Sequence, residues 1–78
     1  MTTNKNNSPT YTAEIELTDF AESNDSGVAF GKIFNDRRKR FDDGVEIMTS
    51  PVLNHKTYKT DGYIRTKNSV YKIRGHSA

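Results

Sequence analysis

The chain has no cysteine and no tryptophan, and only two prolines and two leucines in 78 residues. Without cysteine no disulfide can staple so short a chain, and thiol catalysis and thiolate-based zinc sites are excluded. The same absence fits a reducing compartment. No apolar run approaches the ~20 residues that span a bilayer. The polar start, MTTNKNNSPT, does not read as a signal peptide. A cytoplasmic protein with no membrane partner is therefore the expectation. Isoleucine, leucine, valine and phenylalanine together make just under a fifth of the chain, near the composition of disordered proteins. A net charge of only +2 and four tyrosines argue instead for a folded chain. Its length allows one small domain.

The charge that is present is unevenly spread. Residues 1–31 carry one lysine and five acids, whereas residues 32–78 carry eleven Lys or Arg and five acids. An acidic front and a basic back imply mutual attraction within the fold or a polarised surface.

Residues 1–10 read as a disordered polar tail, 11–74 as a single small β domain, and 75–78 as a C-terminal tail. In TYTAEIELT (10–18), Tyr11, Ala13, Ile15 and Leu17 alternate with polar residues, the period-two signature of a half-buried strand. AESNDSG (21–27) reads as a loop. VAFGKIF (28–34) is a second strand, with a bulge expected at Gly31. VEIMTS (45–50) is a third, ended by Pro51. KTYKT (56–60) is a weaker strand candidate before Asp61-Gly62, a hairpin signal, and YIRT (63–66) and VYKIR (70–74) follow. Five or six short strands without a helical period predict an all-β fold: a small antiparallel meander curling into an SH3-like or OB-like half-barrel.

Parity assigns faces. With Ile64, Tyr71 and Ile73 inward, Tyr63, Arg65, Lys72 and Arg74 share the outer face, with Lys67 in the turn beside them. This is a basic surface with one aromatic, suited to a phosphate backbone and a stacked base. The plainer reading is a solvated face, on which Glu14 and Glu16 pair with Lys72 or Arg74 if the first and last strands are neighbours. The segment NDRRKRFDDG (35–44) poses the same choice. Arg37, Arg38, Lys39 and Arg40 can grip phosphates or dock on an acidic protein surface. They can also simply keep a hairpin tip soluble, with Asp36, Asp42 and Asp43 offsetting much of their charge.

No catalytic constellation stands out. His55 falls in a loop and His76 in the tail, no nucleophile elbow frames a serine, and no glycine-rich phosphate loop is present. Glu22, Asn24 and Asp25 make a faintly calcium-like loop without EF-hand spacing. The expectation is a non-enzyme without cofactor or metal.

RFDDGVEIMTSPV followed by IRTKNSVYKI resembles a pattern of small uncharacterised β-domain proteins of phages and other mobile elements. It is carried here by Phe41, Asp43, Gly44, Ile47, Thr49, Ser50 and Val52, then by Thr66, Asn68, Ser69 and Tyr71. The resemblance implies an anti-defence context of the anti-CRISPR kind, in which a compact protein blocks a host protein. It also implies that the acidic first strand and loop could mimic nucleic-acid phosphates, while the basic segment holds an acidic partner surface. The expected function is thus a non-catalytic interaction protein that docks on a host protein or nucleoprotein complex and inhibits it sterically. Its anchors would be Arg37, Arg38, Lys39 and Arg40, joined by Tyr63, Arg65, Lys72 and Arg74. The alternative is a small nucleic-acid-binding β-barrel using the same residues. A third reading is a homodimer formed through an exposed sheet edge.

Overall fold

The computed structural model describes residues 10–75. The expected tails, apart from Thr10 and Gly75, lie outside the described residues, and so does His76. Among the described residues the fold is all-β in outline, with one five-stranded sheet and one four-residue helix. In chain order the elements are β1 (Ala13–Glu22), β2 (Gly27–Phe34), β3 (Val45–Met48), α1 (Tyr58–Asp61), β4 (Tyr63–Arg65) and β5 (Val70–Ile73).

The strand order is β3-β2-β1-β5-β4. The first three strands form the expected antiparallel meander, and β4 and β5 form the expected hairpin. The whole is not a meander, however, because β5 pairs with β1 in parallel, matching Ala13 to Tyr71 and Ile15 to Ile73. A parallel pairing needs a crossover, and residues 49–62 supply it. They pass from β3 at one edge to β4 at the other, and they place Val52 and Tyr58 against the sheet's inner face. Nothing closes the sheet between β3 and β4 among the described residues.

The predicted parity holds where it matters. Ala13, Ile15, Ala29, Ile33, Ile64, Tyr71 and Ile73 are buried in one core with Val52 and Tyr58, and Leu17 packs against it half-buried. Tyr11 differs: it precedes β1, is half-buried and stands among cations rather than in the core.

Three local expectations are corrected. The bulge lies in β1, not at Gly31: Leu17 pairs with Gly31 and Asp19 with Phe30, so Thr18 is the extra residue. A Cβ on Gly31 would sit 2.5 Å from the Glu16 carbonyl oxygen, so glycine is required by close strand approach. The extra residue flips β1's parity, turning Phe20 inward to stack on Tyr58 with ring centroids 4.2 Å apart. Secondly, β1 runs on to Glu22, so the expected 21–27 loop shrinks to a tight turn closed by the Ser23 N–H donating to the Ser26 carbonyl. Thirdly, the strand candidate 56–60 is not a strand: Lys56 and Thr57 lie in a turn, and Tyr58 and the residues after it belong to α1. Gly62 adopts φ 78° and caps α1, its N–H donating to the Tyr58 carbonyl at 2.9 Å. Asp-Gly signals a left-handed residue, and that conformation serves a helix C-terminus as well as a hairpin.

Candidate basic interaction surface

The loop between β2 and β3 is built around one buried side chain. Asn35 takes a left-handed φ of 54°, as Asn tolerates, and turns Asp36 inward, where its carboxylate is fully buried. Asp36 Oδ1 accepts the Arg38 N–H at 3.0 Å, and Oδ2 accepts the N–H groups of Arg40 at 3.0 Å and Phe41 at 3.3 Å. The Arg40 Nε–H donates to Oδ2 at 3.1 Å, and the guanidinium also reaches Ser69 Oγ at 3.2 Å. Burial alone would raise the Asp36 pKa. The Arg40 guanidinium and the backbone N–H groups of Arg38 and Arg40 outweigh it, so the carboxyl is held below its ordinary value. Burial likewise works to lower the Arg40 pKa and is outweighed by Asp36 and Tyr71, so the arginine stays firmly charged. Lys39 has a left-handed φ of 58°, held by its N–H on the Asp36 carbonyl at 3.1 Å. Such a backbone in a lysine costs about 1 kcal/mol and persists only when the surroundings fix it.

The four basic residues therefore divide. Arg40 is a brace, its side chain partly covered and tied to the buried Asp36. Arg38 and Lys39 project from the tip, exposed. Arg37 donates its backbone N–H to the Thr12 carbonyl at 2.9 Å and lays its guanidinium 4.9 Å from the centre of the Tyr11 ring. The Lys72 ammonium approaches the same ring at 5.6 Å. Each contact is of cation–π type, stabilising by about 0.5–1 kcal/mol at an exposed site. Tyr11 is thus the joint between the basic loop and the basic strand face.

The sheet register brings the other residues to the same end. Lys72 stands between Glu14 and Tyr63 in the row that begins at Phe34. The neighbouring row runs from Thr12 through Val70 to Arg65. Arg74 lies over the Phe34 ring at 4.0 Å, with its Nε 3.5 Å from Glu14 Oε1. The self-pairing reading is therefore met at Glu14 and Arg74. Arg37, Arg38, Lys39, Arg65 and Lys72 make no ion pair with any described residue. Across β2 and β3 the sign reverses: Lys32 stands opposite both Glu16 and Glu46. The outer face is thus basic toward β4 and balanced to acidic toward β3.

Chemistry beyond charge is sparse. A shallow groove of about 460 Å³ beside Lys72 and Arg74 also carries Glu14 and Asp61, so it is of mixed sign. Glu22 of the calcium-like loop is engaged elsewhere: its Oε2 lies 2.8 Å from His55 Nδ1, which ties the crossover to the end of β1. Among the described residues no cluster of three His, Cys, Asp or Glu is placed to hold a metal ion. The run of basic residues was visible in the sequence, but the roles of Asp36 and Tyr11 were not. The available signal was an Asp four residues before an Arg in a turn-rich segment. Comparison with protein-family profiles, curated proteins and solved structures finds no match.

Proposed function

We propose that this protein is a non-catalytic docking module that binds a host macromolecule through its basic end and blocks that partner sterically. The observation that carries this reading is the Asp36 carboxylate, which braces the basic loop from inside. A loop kept basic only for solubility has no need of a buried carboxylate with backbone and guanidinium donors. With the loop backbone held in one shape, little backbone entropy is lost on contact, and arginine forks suit carboxylates on an acidic protein surface. The proposal extends to the sheet, which curls in SH3-like or OB-like fashion so that the basic end stands clear of the core. The mobile-element, anti-defence context rests on the sequence resemblance alone.

Nucleic acid is the second reading, favoured by Tyr63 beside Lys72 and Arg65, a base-stacking residue among phosphate-binding ones. A titration separates the two. Mixed-sequence single- and double-stranded oligonucleotides are added at two salt concentrations. The docking reading expects no binding at low salt, whereas binding that weakens steeply with salt supports the nucleic-acid reading. A pull-down from bacterial lysate then tests docking. A protein retained after nuclease treatment, and lost on Arg38→Glu with Lys39→Glu, is the expected result. A partner that leaves with the nuclease, or that survives the double charge reversal, overturns it.

A further inference from the structure

The sheet has two edges, and they are treated differently. The β4 edge is sealed: the Leu53 N–H donates to the Arg65 carbonyl at 2.7 Å, and the Asn54 side chain pairs with the Arg65 N–H and the Tyr63 carbonyl. On the β3 edge no further strand lies beyond among the described residues. The Thr49 N–H donates to the Ala29 carbonyl, and Ile47 pairs with Gly31. In the alternating ladder of an antiparallel pair, the peptide groups of Glu46 and Met48 therefore point away from β2. This edge also carries two of the molecule's exposed large apolar side chains, Val45 at 39% and Met48 at 62% exposure.

We infer that β3 is a self-pairing edge, which joins a second copy of the chain antiparallel about a two-fold axis at Ile47. In this register Glu46 faces Met48 of the other copy twice over, so the outward peptide groups form four backbone hydrogen bonds. Ile47 meets its own copy on the inner face and extends the apolar layer across the axis. Centring the pair on Glu46 instead would set two carboxylates opposite each other, which is destabilising. The strand's own charge pattern therefore selects this register, and its self-complementarity makes a second copy of the chain the occupant. An edge of four residues buries far less than the ~1,200 Å² of a stable interface, so the dimer is weak, with a dissociation constant of roughly 0.1–1 mM. The pairing uses the outward backbone of β3 itself, and none of the basic residues takes part in it.

Sedimentation equilibrium over roughly 0.01–2 mM tests the inference. The average mass should rise from 8.9 kDa toward twice that value. Met48→Glu sets two acids against Glu46 of the other copy and should hold the mass at 8.9 kDa, with the thermal midpoint unchanged. Met48→Lys creates two opposite-charge pairs and should tighten the dimer by about 3- to 10-fold. Amide exchange on the unaltered protein gives an independent reading, with the Glu46 and Met48 amides slowing as concentration rises. A single species up to the top concentration, equal behaviour of the two Met48 variants, or exchange rates at these amides that ignore concentration would each overturn it.

Discussion

Asp36 is the residue on which the basic loop depends. Asp36→Ala leaves the Arg40 guanidinium and three backbone N–H groups without their acceptor, and should lower stability by about 2–4 kcal/mol in a urea titration. Arg40→Gln should cost about 1–3 kcal/mol, because the buried carboxylate keeps its backbone donors. Lys39→Gly should behave in the opposite way. It suits the left-handed backbone, so stability should stay within about 1 kcal/mol of the unaltered protein, while partner binding weakens with the lost charge. The contrast separates the brace from the contact residues. The pH dependence follows from the depressed Asp36 pKa. A carboxyl with a lower pKa folded than unfolded contributes stability above its unfolded value, and that contribution is lost as pH falls through the folded one. Unfolding measured against pH should therefore steepen below the ordinary value of 3.8. In Asp36→Asn the protein should be less stable at neutral pH, with a shallower acid limb. A residual slope should remain from Asp61, whose pKa is held down by hydrogen bonds from Asn54 and Thr57.

At the scale of the element, β1 is decisive because one extra residue changes which side chains meet the core. Its first half was legible as plain alternation through Ala13, Ile15 and Leu17. The second half was not, because a bulge at Thr18 resets the period and makes Phe20 an inward residue that looks out of phase. Gly31→Ala should test the close approach at this point. Its methyl would meet the Glu16 backbone, so a loss of about 1–3 kcal/mol is expected, visible as a lower thermal midpoint. An unchanged midpoint would mean that β1 and β2 do not approach closely at Gly31. The parallel β1–β5 pairing was equally hidden. It depends on where residues 49–62 travel, and that segment has few apolar side chains to announce its path. Its anchors are polar and specific: Thr49 Oγ1 accepts the Ala29 N–H at 3.0 Å, and Asn54 satisfies the edge of β4. Asp61-Gly62 carried the right conformational signal for Gly62 but not the identity of the element it ends.

For the whole molecule, the asymmetry between an acidic front and a basic back is partly absorbed within the sheet, where β1 and β5 are neighbours and Arg74 meets Glu14. What is left over collects at one end: the loop tip, Arg37 with Lys72 on Tyr11, and Arg65 beside them. The sequence made the basic residues legible, whereas their convergence required the strand order. The basic loop is a rigid part of the fold rather than a mobile charged tip. Backbone ¹⁵N relaxation over residues 35–44 tests it most directly. If Asp36 braces the loop, order parameters at Arg38, Arg40 and Phe41 should match the strands at about 0.85. Values below about 0.6 at these three amides, with the strands rigid, would contradict it.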